Sequence, residues 1–276
     1  MPSTTPPRFN PSDYWERRLR RNFDLQGTGF QRLGPRYNRW VYRVRGEVFD
    51  QVVDRYVRRA DGLSDPLSVL DIGSGTGYYV DRWRRLGADV TGVDLADVAV
   101  QRLASSHPDS RFLRADIGEP LEGELGTLVG TFDVVSAFDV LFHITDDSAY
   151  AQALDNVGRL LRPKGLFLWS DDFVHGATAR MTHVVSRSLV EITHALEHAG
   201  LTTLDRVPML VLMNRPTDTG SRWLPLAWKA MVSPAVASDR LGGLLGAVLY
   251  PLERRLVQRL RESPTTELMV CERGVS

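Results

Sequence analysis

The chain has almost no cysteine and almost no lysine. Cys271 is its one cysteine, which excludes an intrachain disulfide framework and a cysteine zinc site and reads as a small buried core residue. The histidines at 107, 143, 175, 183, 194 and 198 show no spacing that resembles a metal triad, so no catalytic metal is expected. Net charge is missing as well. The 34 basic and 34 acidic residues cancel, and the total implies neither a nucleic-acid polyanion nor an anionic membrane as main partner. Long apolar runs are also absent: the most apolar stretch, LGGLLGAVLY at 241–250, is about half of what spans a bilayer. The opening MPSTTPPRFNP has no basic segment followed by an apolar one, so it reads as a loose tail and not as a secretory signal. A cytoplasmic location is expected.

What is present is a composition that is 43% apolar, ample for a packed core. Charge is unevenly spread. Ten arginines between Arg8 and Arg45 face only Asp13, Glu16 and Asp24, a pattern that reads as a solvated helix face before it reads as an RNA grip.

Along the chain, Asp13 with Glu16 has the form of a capping box for a short helix. Apolar residues at Tyr37, Val41, Val44, Val48, Val52 and Tyr56 then mark a helical stripe. From there short apolar runs alternate with helix-length segments. LSVLDI (67–72), DVTGVD (89–94), RFLRAD (111–116), FDVVSA (132–137) and GLFLWS (165–170) read as strands spaced by helices, the one after the fourth strand ended by Pro163. Such alternation predicts an α/β fold with a doubly wound parallel sheet covered on both faces. One further helix and two extended runs, LTTLDRVPMLVLM and TELMVCER, follow. The expected organisation is a tail and helical cap over 1–62, then a binding domain over 63–276. An insertion at 216–263 interrupts that domain and reads as a helical lid over a substrate pocket, packed on the protein's own surface and not facing a membrane because Pro251 interrupts it.

VLDIGSGTGYYV carries the chemistry. Its glycines fall at 73, 75 and 77, whereas a dinucleotide turn needs one at 78, where Tyr78 stands. In an open parallel sheet the ligand lies beyond the carboxyl ends of the strands, and these end in Asp71, Asp94 and Asp116. Asp94, 23 residues beyond Asp71, is spaced to accept both hydroxyls of a ribose. Asp116 can accept from an exocyclic amine such as that of adenine.

These residues together resemble the class I S-adenosylmethionine-dependent methyltransferases. LDIGSGTG, GVDLA, RADI, FDVVSAFDVLFHI and LLRPKGLFLWSD match that family's motifs in order, over about residues 67–271. The resemblance implies a Rossmann-like sheet of seven strands with the last one antiparallel, and S-adenosylmethionine as cofactor. It implies that Gly73, Gly75 and Gly77 form the cofactor turn, that Asp71 helps hold the ammonium, and that Asp94 takes the ribose. Leu95 would pack on adenine, Asp116 and Ile117 would meet its edge, and Ala137 would lie near the methionyl chain. A ligand without phosphate has no need of a full pyrophosphate cradle, which agrees with Tyr78 at the third position.

His143, about six residues past the fourth strand, is the candidate general base, with a packed histidine as the alternative. Asp172 and His175, after the fifth strand, are candidate substrate contacts, as are Tyr14, Tyr37 and Trp40 of the cap. The Pro-Pro-aromatic signature of base-modifying members is absent after the fourth strand, where AFDV stands. The expected activity is therefore methyl transfer to a small-molecule acceptor, with an oxygen of an apolar or aromatic metabolite taken as the commonest case. Two lysines, Lys164 and Lys229, against abundant arginine suit a GC-rich bacterial source and secondary metabolism. No nucleic-acid partner and no transmembrane segment are expected. Two alternatives stay open: a methyltransferase of RNA or another anionic macromolecule using the arginine-rich arm, and a nucleotide-binding oxidoreductase or non-catalytic sensor on the same sheet.

Overall fold

The computed structural model describes residues 10–275, so most of the proline-rich tail lies outside the described residues. Pro11 occupies the first turn of α1 (Pro11–Arg21), where a missing N–H costs nothing, and the Asn10 side chain accepts from the Asp13 amide at 3.2 Å. Asn10 therefore caps this helix in place of the expected Asp13–Glu16 box. Glu16 instead accepts from the amide of Val98 at 3.1 Å and ties α1 to the sheet domain. A single turn, α2 (Leu25–Thr28), leads into α3 (Gly34–Val52), which buries the expected stripe from Tyr37 to Val52 and continues as a π-helical turn to Val57, where Tyr56 is half-buried.

The sheet domain then alternates as the sequence pattern requires. β1 (Ser68–Ile72), α4 (Tyr78–Arg85), β2 (Asp89–Asp94), α5 (Asp97–Ser106) and β3 (Arg111–Arg114) form its first half. A short α6 (Gly123–Gly126) precedes β4 (Phe132–Phe138), α7 (Asp147–Leu160) and β5 (Leu161–Asp171). A two-residue pair, β6 (Ala179–Arg180) with β7 (Val185–Ser186), stands apart before α8 (Leu189–His198) and β8 (Leu201–Pro208). The insertion holds α9 (Trp223–Ala237) and α10 (Asp239–Arg259), and β9 (Glu267–Arg273) closes the sheet. Strand order is β3-β2-β1-β4-β5-β9-β8, seven strands in which β9 pairs antiparallel with both neighbours. This is the Rossmann-like arrangement expected.

β4 is buried at all seven positions, the mark of a central parallel strand covered on both faces. One layer buries Trp83, Phe49 and Val134 beneath α3, α4 and α10; the other buries Trp169, Leu154 and Val135 beneath α7 and α8. Each such side chain contributes about 1.5–3 kcal/mol relative to exposure.

Several boundaries differ from expectation, each for a local reason. α7 ends at Leu160, not at Pro163, because the residue before a proline disfavours helix and the chain is already extended at Leu161. β3 stops at Arg114, where the Ala115 amide turns to the Asp94 carbonyl at 3.2 Å. α10 runs through Pro251, whose partner carbonyl four residues back belongs to the solvent-facing Ala247. β8 ends at Pro208, and the run that was expected to extend it bends away. The amides of Val211, Leu212 and Met213 donate to the fully buried Glu253 of α10 at 2.7, 2.7 and 3.2 Å. Those bonds tie α10 to the segment after β8, while Trp40 against Gly246 and Tyr250 packs α10 on α3; the hairpin thus sits on the cap, lines no part of the cavity described below, and is not a lid over it. Among the described residues no helix is long and apolar enough to cross a membrane.

Glu253→Ala leaves two buried amides and one part-buried amide without an acceptor and should destabilise the fold by about 3 kcal/mol or more, with Glu253→Gln milder, as read by urea unfolding.

Candidate functional site

A cavity of about 300 Å³ opens at the carboxyl ends of β1, β2, β3 and β4. Its floor is the glycine turn. Gly73, Gly75 and Gly77 have φ of 67°, 53° and 85°, in the left-handed region where a side chain is strained. A Cβ on Gly73 would stand 2.4 Å from Val140 Cγ2 and one on Gly75 2.8 Å from Thr28 Cγ2, so both positions are closed to larger residues. Gly73 and Gly75 line the cavity, whereas Gly77 sits at the entry to α4 with Leu103 against it. Tyr78 reaches away to α3: its hydroxyl donates to the Tyr42 carbonyl and its ring meets Tyr42 edge-on at 4.8 Å. The residue at the third-glycine position therefore works as a strut between the cap and α4.

Asp94 is buried at the cavity wall, where Oδ2 accepts from the Gly75 amide at 2.7 Å and Oδ1 from the Ala96 amide at 2.8 Å. Each oxygen keeps a further lone pair. Burial raises the pKa of this carboxyl, against the pull of the Ala96, Gly75 and Leu95 amides. Leu95, Asp116 and Ile117 also line the cavity, with Asp116 Oδ1 accepting from the Gly118 amide at 2.9 Å. Asp71 lies just beneath, 3% exposed, and accepts from Ser136 Oγ at 2.7 Å. Burial pushes its carboxyl up to about 7; the Ser136 bond opposes the shift and the nearby Asp94 adds to it. Ala137 is fully buried inside β4 and does not reach the cavity.

His143 lines the cavity beyond β4, in a single 3₁₀ turn, with its ring edge-on to Trp15 at 5.0 Å. Its Nδ1 stands 2.8 Å from the His183 carbonyl oxygen. A carbonyl only accepts, so Nδ1 carries the proton and Nε2 the lone pair. Burial lowers the imidazole to about 4, which outweighs the raising effect of that carbonyl, and His143 is neutral at physiological pH.

The cap contributes differently from expectation. Trp15, Leu19 and Pro11 of α1, with Thr28 and Tyr42, cover the cavity. Tyr14, beside Trp15, is not part of the lining: its ring lies 5.8 Å from that of His183 and its hydroxyl accepts from Arg18 Nη1 at 2.9 Å. Tyr37 is fully buried with its hydroxyl donating to the Met213 carbonyl at 3.1 Å, so it is a core residue and no substrate contact. Trp40 packs on Gly246 and Tyr250, on the side of α3 away from the cavity. Asp172 is held by Thr266 Oγ1 at 2.9 Å outside the cavity lining, and burial raises its carboxyl to about 6. His175 is half exposed and pairs with Asp218 at 2.6 Å, likewise outside the lining.

Other residues reach the site without having stood out in the sequence. Asp139, at φ 58°, lines the cavity and pairs with the buried Arg45 of α3. Asp139 holds the Arg45 guanidinium firmly charged despite its burial. Tyr79 lines the same wall. Arg45 Nε and Tyr79 Oη are buried donors with no partner among the described residues. Among those residues, no group of three His, Cys, Asp or Glu side chains stands close enough to hold a metal.

Comparison with known proteins bears directly on this arrangement. A family profile described as "Methyltransferase domain" matches residues 42–206. The ubiquinone biosynthesis O-methyltransferase of Methylobacterium nodulans is 29% identical over 179 residues, 58% of this chain and 67% of that one. Its counterpart in Azorhizobium caulinodans is 35% identical over 104 residues, 38% of this chain and 40% of that one. Among solved structures, the 1,6-didemethyltoxoflavin-N1-methyltransferase of Burkholderia thailandensis superposes with a TM-score of 0.51 at 20% identity, covering 98% of this chain and 93% of that one. The [4+2]-cyclase SpnF gives 0.53 at 18%, covering 84% and 81%. At these identities the two structures establish the shared fold alone.

Gly73→Ala forces a side chain into left-handed backbone against Val140, and Asp94→Asn exchanges one acceptor oxygen for a donor. Each should weaken S-adenosylmethionine binding at least tenfold in calorimetry, while Tyr37→Phe and His175→Ala should leave it within about twofold; a tenfold change corresponds to about 1.4 kcal/mol.

Proposed function

The chain belongs to the class I S-adenosylmethionine-dependent methyltransferases, and from that footing we propose that it methylates an oxygen of an apolar or aromatic small molecule. The oxygen acceptor is supported by the O-methyltransferase names of its relatives. A single observation carries the chemistry: a neutral imidazole, His143, whose proton is committed to the His183 carbonyl and whose Nε2 lone pair is left over in an apolar-walled cavity.

The residues around the cavity fit the cofactor. Asp94 keeps two lone pairs, a match for the two donors of a ribose diol. Leu95 and Ile117 offer apolar surface for adenine, and Asp116 an acceptor for its amine. Arg45 Nε and Tyr79 Oη are orphaned donors suited to a carboxylate, and Asp71 is a carboxyl suited to an ammonium. When bound, S-adenosylmethionine supplies an electrophilic methyl group on its sulfonium.

Everything else falls to the chain. Trp15, Leu19 and Tyr42 exclude water and align the acceptor, and such alignment is worth up to about 7–11 kcal/mol of barrier. His143 Nε2 would take the proton of an acceptor hydroxyl held against it in the cavity. With its pKa near 4 the imidazole is a weak base that is always in its base form. It does not ionise the acceptor beforehand, and its contribution belongs at the lower end, about 10²-fold.

His143→Ala should thus lower kcat by about 10- to 100-fold without changing cofactor affinity. At saturating cofactor, the kcat profile should show no inflection near pH 6.5, the imidazole's limb lying near 4 instead. An unchanged kcat in the variant removes the base assignment.

Asp71 adds a separate pH dependence. Below about pH 7 it is protonated and offers no charge; above, it is a carboxylate that attracts the cationic cofactor. Cofactor Kd should tighten severalfold between pH 6 and pH 8, and Asp71→Asn should flatten that slope in calorimetric titrations.

A further inference from the structure

The α9–α10 hairpin differs from the rest of the surface. α9 is apolar on every side, with Lys229 its one charged residue, yet only Val232 and Ala235 are buried. A helix apolar all round is one that something covers. α10 adds a stripe at threes and fours: Leu241, Leu244, Val248 and Leu252 are 45% to 65% exposed on its outer side. Trp223, 78% exposed, with Leu224 and Leu226, extends the apolar surface along α9. The inner faces of both helices pack on the protein as expected; the outer ones are uncovered.

This surface has a cationic border. Leu244 also lines a groove of about 510 Å³ between α3 and α10 whose other walls are Arg36, Arg39, Trp40, Arg43, Arg240 and Gly243. Asp239 pairs with Arg36 at 3.2 Å, and Glu47 lies 3.6 Å from Arg43 and 3.4 Å from Arg254. No ion pair among the described residues engages Arg39 or Arg240.

We propose that the α9–α10 hairpin is an interfacial docking element for an anionic phospholipid surface. Its apolar face enters the boundary between headgroups and acyl chains, and the groove arginines take headgroup phosphates. Arginine suits this role because its planar fork binds phosphate bidentately. A helix lying in the interface needs an apolar face flanked by cations, not the length to span. A second copy of this chain is the poorer occupant, because a twofold interface sets a patch against itself and would oppose one arginine border to the other. An acidic protein would match the arginines but leave the leucines unexplained.

The test uses the full chain and phospholipid vesicles, and it does not depend on methyl transfer. The protein should float with vesicles containing phosphatidylglycerol and not with pure phosphatidylcholine, and added salt should weaken the association. Leu224→Asp with Val248→Asp should abolish flotation, and Arg39→Glu with Arg240→Glu should reduce it at least tenfold. All four positions are exposed, so thermal unfolding and cofactor affinity should match the parent and show that the variants are folded. Failure to float, or equal flotation with neutral vesicles, overturns the proposal. So does a dimer that the Leu224→Asp, Val248→Asp variant converts to a monomer, an outcome that assigns the face to a second copy.

Discussion

Two hydrogen bonds to the Asp94 carboxylate, from Gly75 and Ala96, hold the site together. One joins the end of β2 to the glycine turn after β1; the other joins it to the start of α5. The Gly73 and Ser74 amides add bonds to the Val93 carbonyl at 2.7 and 3.2 Å, so the turn is anchored to its neighbouring strand and not merely suspended between β1 and α4. That anchorage demands left-handed backbone at three places, which is why glycine stands at 73, 75 and 77. It also leaves a buried carboxylate partly satisfied, a costly arrangement in isolation and an economical one if a diol completes it. Asp71, just beneath and electrostatically coupled to Asp94, shares that environment.

The sheet and its strand ends were legible because they follow from local signals: alternating apolar runs, glycines at strand ends, acids one strand apart. β2 begins and ends where the sequence pattern puts it. Contributions from far along the chain were less legible. Tyr37 belongs to the same helical stripe as Val41 and Val44, and that stripe predicts burial; the reading as a substrate contact set its ring chemistry above its periodicity. Trp15 and Tyr14 are adjacent, but successive residues of a helix point about 100° apart, so only one can face the cavity. No one-dimensional pattern distinguished them. Arg45 and Asp139 are 94 residues apart and meet only once α3 is laid across the sheet.

The helical additions divide into two. Residues 10–52 cover the cavity and bring Arg45 to it, while α10 braces α3 from the other side through Tyr250, which packs on Trp40 and whose hydroxyl donates to Glu47 at 2.5 Å. α3 thus presents Tyr42 and Arg45 to the site and Arg36, Arg39 and Arg43 to the outer groove. A segment expected to be a lid is a buttress, and the cavity is lined instead by α1, some two hundred residues earlier.

The central claim is that this strand-end cavity holds the nucleoside of the methyl donor on Asp94 with His143 across from it. A crystal structure of the chain with S-adenosylhomocysteine tests it most directly. The account predicts both ribose hydroxyls on the Asp94 carboxylate, adenine between Leu95 and Ile117, and His143 Nε2 on the open side of the sulfur. A nucleoside bound elsewhere, or an Asp94 carboxylate that makes no contact with the ribose, would contradict it.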